Sequence, residues 1–336
     1  MGQDDRIDIV LTYVDGNDPV WKAKRDKYSG MQGEDSSVSR YRDWDNLKYV
    51  FRGIEKYASW VNKIFFVTDH QCPSWIDQQN EKLVILNHED YMPEDCLPTF
   101  NSNAIEINFH RIKDLSEKFI ILNDDFFFIN PTQPSDFFRE GRPVDIFVEY
   151  PIGCGGNNPV FSHILANVFN TIGKYYSREE YRKTMKSKIL SPKYGFYFFY
   201  NLLVFMLPYP NFFGLLTPHF PQPFLKSQFE EVWRLEDESL AETSGHRFRE
   251  TGDLNIYLFR IYNIMQGNFV PGNRLKMGKK ITLQTASEEA CNLIAHSKYK
   301  MICLNDECEE SVFECIRDEI NRCFEQHFPE KSSFEL

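Results

Sequence analysis

The chain has 336 residues, 42% of them hydrophobic and 26% charged, which excludes a disordered or fibrous protein and leaves room for one large α/β domain with insertions or two modest ones. Its net charge of -11 argues against a nucleic-acid partner and against attachment to anionic lipid by the overall field. Aromatics reach 15%, with 30 Phe and 17 Tyr, rings that can fill a core, stack on sugars or meet a membrane interface.

Met1 to Arg6 runs straight into a strand-like segment without an apolar leader, and Gly2 opens no acylation motif, so a cytoplasmic protein is expected. Asp8 to Val14 predicts a first strand, Asp15-Gly-Asn-Asp-Pro19 a turn, and Asp18 the cap of a short helix. The polar stretch Gly30 to Ser39 reads as a loop able to cover a site. From Asp43, the apolar positions Leu47, Val50, Phe51, Ile54 and Ala58 predict an amphipathic helix. Lys63 to Thr68 is a second strand ending in Asp69, Pro73 to Gln79 a short helix, and Lys82 to Leu86 a third strand. Ser102 caps a helix carrying Ile105, Phe109 and Ile112.

Phe119-Ile-Ile-Leu-Asn-Asp-Asp-Phe-Phe-Phe128 reads as a buried fourth strand delivering Asn123, Asp124 and Asp125, although Asn and Asp equally favour a cap or a turn. Asp145 to Tyr150 is a fifth strand, and the glycine-rich run Gly153 to Asn158 matches no phosphate-binding fingerprint. Phe196 to Leu207 is apolar except for Asn201; it falls short of the about 20 residues that span a bilayer and is read as core packing ahead of a membrane-facing patch. Asp253 caps a helix from Leu254 to Met265 that Gly267 stops, and a last helix runs from Glu307 to His327. Cys308, Cys315 and Cys323 fall on one face of that helix as buried thiols, and no Cys-x-x-Cys spacing suggests zinc. Strands alternating with helices predict an α/β fold: a Rossmann-like, mostly parallel sheet flanked by helices, with a largely helical C-terminal half. Residues 1–150 then form a Rossmann-like half and residues 151–336 a helical, aromatic half, the two making one integrated domain.

The chemistry-bearing residues are carboxylates at strand tips, Glu106 on a helix facing the same edge, and the later cations His219, His246, Arg247 and Arg249. Adjacent Asp124 and Asp125 repel each other and must be hydrated, protonated or bridged by a cation. Carboxylates for a divalent cation, with Arg and His for phosphate, suit transfer at phosphorus. Taken singly, His219 in an aromatic segment reads as structural and the 246–249 cations as solvated surface.

Four blocks in order resemble the Stealth phosphotransferases, which include bacterial capsular polysaccharide phosphotransferases and the lysosomal-enzyme N-acetylglucosamine-1-phosphotransferase. They are Ile7-Asp-Ile-Val-Leu-Thr-Tyr-Val-Asp-Gly16; a second block from Arg40-Tyr-Arg-Asp43 through Leu97-Pro-Thr-Phe-Asn-Ser-Asn-Ala-Ile-Glu106 to Leu122-Asn-Asp-Asp125; Pro218-His219 with Gly245-His-Arg-Phe-Arg249 and Asp253; and Lys300-Met-Ile-Cys-Leu-Asn-Asp306. Tyr13 stands where many members carry Trp. The resemblance implies transfer of a sugar-1-phosphate from a nucleotide sugar to a hydroxyl of an acceptor sugar, leaving a phosphodiester and releasing a nucleoside monophosphate. It maps catalytic positions onto Glu106, Asp125, His219 and Arg249, and donor-site positions onto Asp15, Arg40 and Asn103. Gly16, Asp43, Asn123, His246 and Arg247 are the further substrate-binding positions expected, with Asp124, Asp125 and Asp253 as metal ligands. A divalent cation, Mg2+ or Mn2+, a UDP-linked donor and a lipid-linked glycan acceptor are expected, with peripheral contact at the inner face of the plasma membrane. One of Asp125, Glu106 or His219 takes the acceptor proton, unless His219 carries a phosphoryl intermediate. Two other readings compete: a metal-dependent glycosyltransferase, which releases a nucleoside diphosphate, and a non-enzymatic carbohydrate-binding module.

Overall fold

A computed structural model of the chain describes residues 5–28, 30, 41–153 and 159–336, so Arg40, the polar loop beyond Gly30 and most of the glycine-rich 153–158 run lie outside the described residues. The central sheet holds β1 (Ile7–Thr12), β2 (Ile64–Thr68), β3 (Leu83–Asn87), β4 (Lys118–Asn123) and β8 (Gln222–Leu225) in the order β3-β2-β1-β4-β8. The first four are parallel, as predicted, and β8 closes the edge antiparallel to β4. Continuous apolar runs suit strands covered on both faces, and Val10, Phe66 and Ile120 are fully buried. Alternate residues feed two cores: Ile9, Leu11, Ile64 and Phe66 one side, Val10, Phe65 and Val67 the other.

The order reverses at β1, so the crevice between the carboxyl ends of β1 and β4 is the topological switch point where such sheets bind ligands. Thr12 lies opposite Asn123 there, which sets Tyr13 beside Asp124.

The run Phe119 to Phe128 is not one strand. β4 ends at Asn123, the chain turns at Asp124 and Asp125, and β5 (Phe126–Phe128) enters a second sheet, antiparallel to β11 (Met301–Asp306), which pairs in parallel with β10 (Gly278–Leu283). Periodicity could not show this, because both halves are apolar and buried. The helix Leu47–Tyr57 covers β5 so closely that a Cβ on Gly53 would lie 2.6 Å from the Phe128 carbonyl oxygen. The fifth predicted strand is also corrected: β7 (Arg142–Asp145) stops where it was to begin and pairs with β6 (Phe138–Arg139) and β9 (Val270–Pro271) in a small third sheet.

Several helix limits differ. Asn101 caps the helix Ser102–Ile107, and Asn255 caps Ile256–Met265, in each case accepting from a backbone N–H within the first turn. No helix forms over 73–79. The last helix is Glu310–His327, and its buried stripe is Phe313, Ile316, Ile320 and Phe324, which leaves Cys308 before the helix and Cys315 exposed. All seven described cysteines are free thiols. Much of the aromatic surplus fills the cores: Phe229 and Phe259 stack at 3.9 Å and Phe127 meets Phe324 at 4.4 Å.

The largest correction concerns Phe196 to Leu207. It is a helix (Phe196–Met206) in which the one polar residue, Asn201, is buried, whereas Phe196, Phe199, Leu203 and Met206 are each more than 60% exposed. Among the described residues no helix is long and apolar enough to cross a membrane.

Candidate active site

The tips of β1 and β4 open into a cleft of about 1050 Å³, whose walls include Tyr13, Asp43, Asp124, His219, Arg249 and Lys280. A chamber of about 160 Å³ adjoins it, lined by Trp21, Tyr41, Asp69 and His88, and shares Glu106, Asn123, Asp124 and Arg249 with the main space. Together they are large enough for two sizeable polar ligands.

Asp125 occupies the crossing between the two sheets. Its backbone oxygen accepts from Leu304 N at 3.0 Å, fixing the residue to β11. Its Oδ2 lies 3.5 Å from His219 Nε2 and accepts from the Cys303 thiol at 3.2 Å. Its Oδ1 is buried and has no hydrogen-bond partner among the described residues. Asp125, His219 and Cys303 offer ligand atoms within 4.8 Å of one another, a group able to hold a metal ion. Burial, followed by the Asp125 charge, pushes the Cys303 thiol well above its ordinary range, in keeping with its role as donor to the carboxylate.

Glu106 projects from the helix Ser102–Ile107 and is almost fully buried. Burial pushes its carboxyl up to about 7, against the opposing pull of Arg249 and His219. Asp124 is held well above the usual carboxylate range by loss of water, then by Asp125 and Asp43. Asp43 is raised chiefly by burial and accepts from the Tyr13 hydroxyl at 3.2 Å. Arg249 donates to the Ser102 hydroxyl. The site therefore gathers three protonatable carboxyls, an Asp–His pair and a guanidinium, a set suited to proton exchange beside a polyanionic substrate.

The structure brings Glu106, Asp125, His219, Arg249, Asp43, Asn103, Asn123 and Asp124 to this cleft. It does not bring Asp253 there. That carboxylate is fully buried, with Oδ2 accepting from Asn101 and Asn103 at 2.9 Å each and Oδ1 2.7 Å from His246 Nδ1. With both oxygens committed, Asp253 locks the Asn103 helix to the 246–249 segment, and the expected metal role has no geometry behind it. His246 is its partner, and Arg247 donates to Pro98 O at 2.7 Å while lying over the Tyr28 ring, so neither lines the cleft. Asp15 also lies off the cleft wall: its Oδ1 accepts from Asn17 N at 2.8 Å and its backbone pairs with Gln71. Gly16 donates its N–H to Tyr41 O at 2.6 Å, an approach that a Cβ, 2.3 Å from that oxygen, would block.

Four residues escaped the site expectations: Ser102 and Lys280 on the cleft wall, Asp69 in the chamber and Cys303 behind Asp125. Ser102 read only as a cap, Cys303 only as part of a block, and Asp69 only as a strand tip; Lys280 carried no signal. Lys280 lies opposite Cys303 in the β10–β11 register, a pairing that no local pattern announces. Asp69 is held by Lys24 at 2.7 Å beside the smaller chamber.

Models of Stealth conserved regions 1, 2 and 4 match residues 5–33, 40–145 and 292–336. The chain is 38% identical over 344 residues to a capsular polysaccharide phosphotransferase WcwK of Streptococcus pneumoniae, covering 98% of this chain and 99% of the relative. It is likewise 38% identical to the receptor polysaccharide phosphotransferase WefC of Streptococcus oralis, with 98% and 99% covered. Over 334 residues it is 38% identical to the exopolysaccharide phosphotransferase cps2G of Lactiplantibacillus plantarum, with 98% and 96% covered. A chain aligned end to end with such relatives, with the Asp–His pair and Arg249 meeting at the switch point of its sheet, belongs to the Stealth protein family.

Proposed function

We propose that the cleft moves a sugar-1-phosphate from a nucleotide sugar, UDP-linked by preference, to a hydroxyl of a lipid-linked glycan at the inner face of the plasma membrane. As a capsular or exopolysaccharide phosphotransferase, the protein makes a phosphodiester and releases a nucleoside monophosphate. The acceptor oxygen bonds to the phosphorus that bears the sugar, the bond from that phosphorus to the bridging oxygen breaks, and the monophosphate departs with that oxygen.

The observation that carries this reading is the 3.5 Å contact of Asp125 Oδ2 with His219 Nε2, in one cleft with Arg249 and Glu106. Asp125 holds the imidazole through Nε2, which leaves Nδ1 to take the acceptor proton. Arg249, already drawn to the site by Ser102, answers the charge on the transferring phosphoryl group. Glu106 balances that guanidinium until the donor phosphates replace it. Asn123 and Lys280 on the cleft wall, with Asp69 in the adjoining chamber, hold the donor's polar groups.

Asp125 Oδ1, buried without a partner, and the neighbouring Asp124 are oxygen donors that fit a hard divalent cation, Mg2+ or Mn2+. When bound, such an ion neutralises the donor diphosphate.

The test is the nucleotide product of the purified protein supplied with UDP-sugar and acceptor. UMP is expected. Release of UDP would mean cleavage of the sugar C1–oxygen bond and would replace this reading by glycosyl transfer.

A further inference from the structure

The helix Phe196–Met206 is built inside out. Phe196, Phe199, Leu203 and Met206 recur at helical spacing on one face, 79%, 63%, 64% and 62% exposed, and Leu207 and Tyr209 extend the patch. The opposite face, with Tyr197, Tyr200 and Phe205, packs on the second core. A stretch of this kind would ordinarily turn its apolar side inward, and buried polar anchors prevent that here. Asn201 Nδ2 donates to Phe147 O at 2.7 Å and Ile189 O at 2.9 Å. Arg178, 1% exposed and paired with Glu149 at 2.8 Å, donates to Val204 O at 2.7 Å and Leu207 O at 3.0 Å, so it satisfies carbonyls at the helix C-terminus. The fold thus buries an ion pair and an amide to hold an apolar face against water, and such patches mark contact surfaces.

Charge indicates what covers the patch. The 49 residues between Glu180 and Glu230 contain no Asp or Glu and six Lys or Arg, in a chain whose net charge is -11. Lys186 and Lys193, both exposed, precede the helix. Charges farther away than about 8 Å are screened at physiological ionic strength, so an approaching surface senses this cationic collar and not the chain's net charge. Glu179 already answers Lys183 at 2.6 Å, so a second copy of the chain is a poor occupant, because an isologous contact sets the acid-free segments side by side and brings Lys186 against Lys193 with no acid from that segment between them.

We propose that the face formed by Phe196, Phe199, Leu203 and Met206 is a membrane-docking surface that enters the headgroup–acyl boundary of an anionic bilayer, with Lys186 and Lys193 on lipid phosphates. Tyr209 lies at the headgroup level, where its ring and hydroxyl are both satisfied. Ten residues of chain join Leu207 to Thr217 on the cleft wall, at most about 35 Å, so docking brings the cleft to the lipid surface. This builds on the lipid-linked acceptor proposed above, and vesicles that carry no glycan keep its failure separate from failure of the reaction.

The experiment is flotation of the full chain with phosphatidylcholine vesicles, with and without phosphatidylglycerol. The wild type is expected to float with the anionic vesicles and to be released by salt. Phe199→Ser with Leu203→Ser lowers the partition coefficient about a hundredfold, as expected for two apolar side chains kept from lipid, while transfer to a short soluble acceptor is unchanged. Lys186→Glu with Lys193→Glu, both at exposed positions, lowers it about tenfold or more on anionic vesicles alone. A wild type that stays in the aqueous fraction overturns the proposal, as does equal flotation of the wild type and both variants. A wild-type dimer that the serine variant dissociates, without vesicle binding, also overturns it and assigns the face to a second copy.

Discussion

Replacing Glu106 by Gln removes one carboxyl charge from a site that keeps it nearly dry, and the consequence for stability has a definite sign. In the folded protein the carboxyl titrates at about 7, raised from 4.5 by burial. Below pH 4.5 it is protonated in both folded and unfolded chains and contributes no difference. As pH rises from 4.5 to about 7, the unfolded chain releases the proton and the folded chain retains it, so wild-type stability falls throughout that window and stays lowered above it. A tenfold change in proton affinity is worth about 1.4 kcal/mol, so the full loss is about 3 kcal/mol. Glutamine, equal in shape and never charged, escapes the loss. With about 2.1 cal/mol/K of unfolding entropy per residue over 336 residues, the variant should melt about 4 °C above wild type at pH 8 and level with it near pH 4.5. Paired thermal melts across that range measure the difference directly. A melting difference that is constant with pH, or a wild type more stable than the variant at pH 8, refutes the argument that Glu106 is a strained, desolvated acid.

The reaction supplies further tests. His219→Asn and Asp125→Asn should each lower kcat by about two to four decades, and the double variant should lose little more than the worse single one, because the two act as a unit; independent, additive losses in steady-state rates would dissolve the pair. Arg249→Lys keeps the charge but not the planar fork and should cost about a hundredfold in kcat with a smaller change in KM, which initial-rate measurements against donor concentration separate. Exhaustive chelation should abolish UMP release and Mg2+ or Mn2+ should restore it; full turnover in chelator would remove the cation from the mechanism.

The sheet was legible because its strands are continuous apolar runs separated by an amphipathic helix with a strict stripe, Leu47, Val50, Phe51 and Ile54, all of which are buried. Asp124 and Asp125 stood out as a carboxylate pair directly after a buried run, where a plain turn was the competing reading, and the structure holds both: the residues turn between β4 and β5 and line the cleft. Glu106, Asp125, His219 and Arg249 could be singled out as the catalytic set only through the resemblance, since nothing local separates them from the other acids and cations of the same inventory. Asp253 misled for a related reason: composition shows a carboxylate near cations and cannot show that both its oxygens are already taken by Asn101, Asn103 and His246.

By itself, then, the sequence determined the parallel sheet, the placing of acids at its carboxyl edge and the family, because these follow from hydrophobic period and motif order along the chain. The tertiary structure alone decided the rest. Phe119 to Phe128 splits between two sheets because β11, nearly 180 residues farther along, offers a pairing edge after the turn at Asp124 and Asp125. Glu106 titrates near neutrality because helix and sheet together exclude water from it. Phe196–Met206 faces outward because Arg178, Glu149 and Asn201 supply its buried bonds. Each depends on partners distant in sequence, and burial of an apolar run reads the same along the chain whichever face those partners hold inward.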